Sequence, residues 1–245
     1  MKVTIIGFWG GFPAANEATT GYLFEHDGFR LLVDCGSAVL SQLQRYVSIE
    51  ELDAVILSHY HHDHFADIGP LQYARLIAKV LGKTNKELPI YGHPFDVENF
   101  KKLTYKDITK GVAYNPSEEI TIGPFLIQFL KTLHPVDCFA MRITANGQSV
   151  VFTADTSFSE NFIPFAMDAD LLLSECNLYN NQDGSKMGHL TSTDAGIIAS
   201  KANINELVLS HLPHFGNHQD LVTQAAAVYN GKIHLAYSGL IWERN

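Results

Sequence analysis

The residues best suited to chemistry crowd into one stretch, Leu57-Ser58-His59-Tyr60-His61-His62-Asp63-His64. It places imidazoles at 59, 61 and 64 and a carboxylate at 63 in the pattern HxHxDH. Imidazole nitrogen with carboxylate oxygen is a donor set for divalent cations such as zinc. The apolar run Leu52 to Leu57 just before it is short and rich in branched side chains, which predicts a buried strand. The histidines therefore fall in the loop where that strand ends. Alternate side chains of extended backbone point the same way, so His59 and His61 share one direction. A turn into a helix near Asp63 swings Asp63 and His64 toward a neighbouring point. Such a geometry suits two metals side by side.

Three further candidates sit at predicted strand ends. His134 follows the run Phe125 to Leu133 and precedes Pro135, Asp155 follows Val150 to Ala154, and His211 follows Leu207 to Ser210. The segments Leu52 to His59 and Ile204 to His211 echo one another, each an apolar strand that delivers a histidine at its C-terminal end. The echo nominates His211 as a ligand. Asp34 closes another strand, Leu31 to Val33. Between Asp155 and His211 lie Ser174-Glu175-Cys176-Asn177 and Gly188-His189-Leu190-Thr191. Thr191-Ser192-Thr193-Asp194 carries a capping-box-like pattern that opens a helix. A helix N-terminus offers N–H groups to an anion, so Thr191 and Ser192 are the expected phosphate-binding residues.

The elements that must position these groups follow from periodicity and turn chemistry. Strands are predicted at Val3 to Ile6, Tyr22 to Glu25 and Arg30 to Val33, the last two joined by the hairpin signal His26-Asp27-Gly28. Helical spacing covers Ala38 to Tyr46, and again Leu71, Ala74, Leu76, Ile77, Val80 and Leu81, with Gly82 as the stop. Pro89 to Gly92 is a short strand and Phe95 to Leu103 a helix. Strands follow at Phe125 to Leu130, Met141 to Thr144, Val150 to Thr153, Leu171 to Ser174, Leu207 to Leu209 and Ile233 to Tyr237. Helices are expected at Ser192 to Ala202 and Asp220 to Tyr229. No linker or low-complexity segment divides the chain, so residues 1–245 are expected to form a single domain.

Composition bounds the reading. The 245 residues are 46% apolar and 18% charged, ordinary for a globular protein with a sizeable core. No apolar stretch approaches the ~20 residues that span a bilayer, and the N-terminus reads as a first strand rather than a signal peptide. A cytoplasmic location and no membrane association are expected. Cys35, Cys138 and Cys176 are odd in number and widely spaced, which argues against a disulfide framework and a thiolate zinc site. The net charge of −9 disfavours broad nucleic-acid binding. Against it, the segment 75–110 is basic: Arg75, Lys79, Lys83, Lys86, Lys101, Lys102, Lys106 and Lys110 face four carboxylates. That cluster reads as a solvated helical face, with a landing place for an anionic substrate as the alternative.

In the order HxHxDH, His, Asp, His, the candidates resemble the metallo-β-lactamase superfamily. The resemblance implies a four-layer αββα sandwich of two facing mixed sheets with helices outside. It implies two Zn²⁺ ions, with Mn²⁺ or Fe as alternatives. One metal would take His59, His61 and His134, the second Asp63, His64 and His211, and Asp155 would bridge both. Asp34 would orient a ligand histidine. Glu175 with His189 resembles the dyad of the ribonuclease Z-like and small phosphodiesterase branch, although Ser174 stands where that branch usually has a histidine. Asp63, Glu175 and His189 are then the catalytic set, with His189 supplying the leaving group's proton. Ribonuclease Z proper inserts a tRNA-gripping arm between its third and fourth motifs. Only twenty residues separate His134 from Asp155 here, so pre-tRNA is not the expected partner. The expectation is a hydrolase of small or single-stranded phosphodiesters, and a small anionic substrate its partner. A thioester or lactone hydrolase is the alternative, and the chain is compatible with a homodimer.

Overall fold

Short branched apolar runs separated by turn residues fold into strands, and in the computed structural model, which describes residues 1–244, those strands form two seven-stranded mixed sheets. The sheets belong to two compact units, residues 1–115 with the segment from Tyr237 onward, and Pro116–Ala236.

The first unit contains β1 (Lys2–Gly7), β2 (Gly21–His26), β3 (Phe29–Val33), α1 (Val39–Leu43), a 3₁₀ turn at Ile49–Glu51, β4 (Ala54–Ile56), α2 (His62–Phe65), α3 (Ile68–Val80), β5 (Leu88–Gly92), α4 (Val97–Lys101) and β6 (Thr109–Ala113). The chain's last strand, Ile241–Glu243, returns to pair with β1 and is β14 in chain order. The β2–β3 hairpin turns through Asp27 and Gly28, both left-handed at φ 48° and 78°. An Asp-Gly pair suits that turn because both positions require positive φ. β4 is buried along its whole length between parallel neighbours β3 and β5, as its uninterrupted apolar sequence requires. Strand β6 escaped the sequence reading because it is a polar edge strand, Thr-Lys-Gly-Val-Ala, paired on one side only.

Helix α3 buries Leu71, Gln72, Arg75 and Ala78, whereas Ile77, Val80 and Leu81 are exposed. Much of its apolar spacing thus faces outward. Arg75 is 1% exposed, and its guanidinium donates to the carbonyls of Ile49, Glu50 and Lys86. Lys79, Lys83, Lys86 and Lys101 pair with Asp107, Glu50, Asp53 and Glu98. Lys102 donates to Asn99 Oδ1 at 2.7 Å, so at least six of the eight cations in the basic segment are engaged within their own unit.

The second unit contains β7 (Ile120–Ile122), β8 (Phe125–Lys131), β9 (Phe139–Ala145), β10 (Gln148–Phe152), α5 (Phe162–Ala166), β11 (Leu171–Glu175), α6 (Ser192–Lys201), β12 (Glu206–Ser210), α7 (His218–Ala226) and β13 (Lys232–Leu235). Between His134 and Asp155 the chain is spent on β9, a turn at Asn146 and Gly147, and β10. No arm is inserted there. Helix α5 carries Pro164 in its first turn, where the missing N–H costs no intrahelical bond. That proline is what hides the helix from periodicity.

Both sheets follow one plan. In the order β14-β1-β2-β3-β4-β5-β6, the first three pairings are antiparallel and the last three parallel. The order β7-β8-β9-β10-β11-β12-β13 repeats that sequence of directions. By strand position β4 corresponds to β11, and β5 to β12. The sequence echo between 52–59 and 204–211 thus joins β4 to β12, which occupy different places in their sheets. His93, next after β5, is the positional counterpart of His211.

Candidate metal centre

Within the first unit, β4 ends at Ile56 and releases the chain into Leu57 to His61, and α2 begins at His62. His62 points outward, while His59, Asp63 and His64 are buried. The rings of His59 and His61 lie 4.8 Å apart and those of His59 and His64 4.1 Å apart. The loop is pinned through its backbone. Thr20 donates to the Asp63 carbonyl at 3.1 Å and Cys35 to that of His64 at 2.7 Å. Gly36 is required here, because a Cβ at that position would stand 1.9 Å from the Asp63 carbonyl oxygen.

Asp34, held left-handed at φ 59°, organises the imidazoles from behind. Its carboxylate accepts from Ser58 N at 2.7 Å and Ser58 Oγ at 2.8 Å, and lies 2.8 Å from His64 Nδ1. A carboxylate only accepts, so His64 carries its proton on Nδ1 and presents Nε2 as a lone-pair donor. Ser58 has one hydroxyl hydrogen, which goes to Asp34. Its 3.0 Å contact with His59 Nδ1 is then an acceptance from the ring, and His59 too presents Nε2. His64 Nε2 faces Asp63 Oδ2 at 3.7 Å, and that oxygen accepts from Gly11 N at 2.7 Å.

The second unit gathers its groups from several loops. His134 follows β8, Asp155 follows β10 and His211 follows β12. Ala154 and His211 are left-handed at φ 50° and 51°. For non-glycine residues that conformation costs about 1–3 kcal/mol, strain characteristic of functional strand ends. Gly188 O lies 3.0 Å from His134 Nδ1, which fixes that ring as an Nδ1–H donor. Burial holds the His134 imidazole below its usual range, against the opposing pull of the Asp155 carboxylate. His134 Nε2 stands 3.9 Å from Asp155 Oδ2, and His211 Nε2 3.4 Å from Asp155 Oδ1.

These separations exceed N–H···O hydrogen bonds, ~2.7–3.2 Å. They approach the ~3.3 Å between two ligands bound ~2.0 Å from a tetrahedral cation. Each oxygen of Asp155 faces a different imidazole. The residues of both units thus fit divalent metal. Burial raises the Cys35 and Cys176 thiols well above their ordinary range, so they are neutral and poor competitors for the ion.

Glu175 closes β11, is 1% exposed, and accepts from Thr156 N at 2.7 Å. Its Oε1 lies 3.1 Å from His189 Nδ1. The His189 ring stacks on that of His211 with centroids 5.4 Å apart. Donor atoms of Glu175, His189 and His211 lie within 4.8 Å of one another.

At the expected phosphate cradle, the donors of Thr191 and Ser192 have partners within the protein. Thr191 N and Oγ1 donate to Asp194, and Asp194 N donates back to Thr191 Oγ1. Ser192 N donates to the Leu178 carbonyl and Ser192 Oγ to Gln224. The capping box is present, and it places the Asp194 carboxylate at the helix start.

Sequence reading missed Ser58, Gly11, Thr156 and Gly188, whose contributions are mostly backbone groups. Ser58 alone had a signal, being the residue before the first histidine of the motif.

Residues 16–211 match the metallo-beta-lactamase superfamily, and the chain belongs to it. It is 60% identical over 243 residues to the "probable metallo-hydrolase YhfI" of Bacillus subtilis, covering 99% of this chain and 100% of that one. The crystal structure of that metallo-beta-lactamase fold protein superposes with a TM-score of 0.98 at 59% identity, over 98% of each chain. The fold is therefore the metallo-β-lactamase α/β sandwich. A diphosphatase of the PhnP family (TM-score 0.78, 17% identity, 100% of this chain and 98% of that one) and the short form of human tRNase Z (TM-score 0.77, 18% identity, 99% of each) share the fold. Among the described residues, no helix is long and apolar enough to cross a membrane.

Proposed function

We propose that this protein is a metal-dependent hydrolase of small or single-stranded phosphodiesters. His59, His61 and His134 would hold one ion, Asp63, His64 and His211 a second, with Asp155 shared, as the family resemblance implies. Zinc fits the imidazole and carboxylate donors, with Mn²⁺ or Fe as alternatives. Divalent metal bound there supplies Lewis-acid polarisation of the phosphoryl group and acidifies the attacking water.

The observation that carries the phosphodiester reading is the Glu175–His189 pair beside His211. An imidazole whose Nδ1–H is committed to a buried carboxylate delivers its second proton from Nε2. The negative charge of Glu175 stabilises the imidazolium that must exist before transfer. Water adds to phosphorus, the bond to the leaving oxygen breaks, and His189 gives that oxygen its proton. A basic alkoxide needs such a donor. Asp34 and Ser58 meanwhile hold the His64 and His59 rings in one tautomer.

The direct test offers the metal-loaded protein bis(p-nitrophenyl) phosphate beside a thioester and a lactone. Hydrolysis of the diester above the other two is expected. Preference for the thioester or lactone would reassign the chain to carbonyl chemistry.

A further inference from the structure

Two cavities in the second unit lie along one surface. One, of about 600 Å³, is lined by His189, Phe158, Asp183 and Asp194 among others, and the other, of about 470 Å³, by Tyr179, Phe215, Asn181 and Gln224 among others. Asn180 and Gln182 line both, so the two adjoin and are treated as one groove, with His189 in its first part. Each volume falls in the ~300–1,000 Å³ range of ligand pockets.

The lining chemistry is specific. Five carboxamides, Asn180, Asn181, Gln182, Asn217 and Gln224, line the second cavity, and two of them are held in place. Tyr179 N donates to Gln182 Oε1 at 2.8 Å, and Asn180 N donates to Gln224 Oε1 at 3.0 Å. A backbone N–H can only donate, so each amide oxygen is fixed and each Nε2 amino group is turned away as a donor. Phe215 is 50% exposed and packs beside Tyr179 with ring centroids 5.7 Å apart, which offers an aromatic face. Asp183, Asp194 and Asp220 bring negative charge, and among the described residues no lysine or arginine lines either cavity. Lys186, in the same loop, is exposed and outside both linings.

We propose that this groove is a nucleoside subsite for the leaving group. This rests on the phosphodiesterase reading, because the first part of the groove holds the group that protonates the leaving oxygen. Carboxamides offer paired donors and acceptors to a base edge, and Phe215 offers it a stacking surface. The carboxylates repel a further phosphate. A polynucleotide needs cations along its backbone, and the groove supplies none. The substrate class is a phosphodiester whose leaving group is a nucleoside without a second phosphate.

Steady-state kinetics of the metal-loaded protein test this with a dinucleoside monophosphate and with the same compound bearing a terminal phosphate on its leaving nucleoside. The added phosphate should raise KM on the order of five- to tenfold. Phe215→Ala should raise KM for the dinucleoside roughly five- to a hundredfold with little loss of kcat, and Phe215→Trp should restore it. Unshifted melting would show that the variants fold. Calorimetry should detect binding of the free nucleoside but not of glycerol, weakened in Phe215→Ala. Preference for the phosphorylated or longer substrate, or an unmoved KM in Phe215→Ala, would overturn the subsite. Failure of the wild type to hydrolyse bis(p-nitrophenyl) phosphate while still binding nucleoside would instead overturn the phosphodiesterase reading and the leaving-group role with it.

Discussion

The two units share a strand plan but distribute chemistry differently along it. The first concentrates His59, His61, Asp63 and His64 in one loop after β4, braced by Asp34 at the end of β3. The second spreads His134, Asp155 and His211 over the ends of β8, β10 and β12, with Glu175 at the end of β11. Asp34 and Asp155, which follow the positionally equivalent β3 and β10, have opposite tasks. One carboxylate is 2.8 Å from the Nδ1 side of an imidazole, and the other faces two Nε2 atoms at 3.4 Å and 3.9 Å. The same strand end thus serves as a brace in one unit and as a proposed ligand in the other. The scaffold decides where a side chain can stand, and the residue type decides its role.

Removing the proposed ligand should have the largest effect. Asp155→Ala should lose one metal and cut turnover by orders of magnitude, and near-wild-type rates on every substrate would make Asp155 a structural residue. Next comes the proposed proton donor. His189→Ala should retain its metal and lose roughly 10²–10⁴-fold in rate on a dinucleoside monophosphate. It should lose less on bis(p-nitrophenyl) phosphate, because p-nitrophenolate departs with little help, and Glu175→Gln should show the same bias more mildly. An equal loss on both leaving groups would assign His189 to phosphate binding, and lost metal would assign it to the metal shell.

The braces should matter less than the groups they hold. Asp34→Ala removes the partner of His64 Nδ1 and should weaken metal affinity by about 10–100-fold. Gly188→Ala acts on the corresponding support of His134, because its Cβ would stand 2.7 Å from Nδ1 in a left-handed backbone. Metal titration should rank both variants between wild type and Asp155→Ala, and wild-type affinity in either would show that the rings need no such support. The smallest effect belongs to the start of α6. Thr191→Ala should cost about 1 kcal/mol, or roughly 2–4 °C of melting temperature, as loss of a helix cap does. A large rise in KM for a phosphodiester would instead assign Thr191 to anion binding.

The same contrast explains what the sequence revealed. HxHxDH was legible because four donors fell within six residues after an apolar run, and local spacing is what a sequence displays. His134, Asp155 and His211 are separated by strands, so each alone looks like a loop residue, and family order was needed to connect them. His211 was nominated through an echo that joins positionally different strands. Strands β6, β7 and β14 were missed because they are short, lie at or beside sheet edges, or carry little apolar pattern. The contributions of Gly11, Thr156 and Gly188 come from main-chain atoms, which every residue possesses and no motif marks. The capping box at Thr191 was legible because it is a local pattern, Thr191 with Asp194 three residues on.

The central proposal is that the protein takes up a pair of divalent ions. Elemental analysis of protein purified without chelator and then reloaded tests it most directly. The account predicts close to two divalent ions per chain, falling to one or fewer in Asp155→Ala. Saturation at one ion per chain in the wild type, even with added metal, would contradict it.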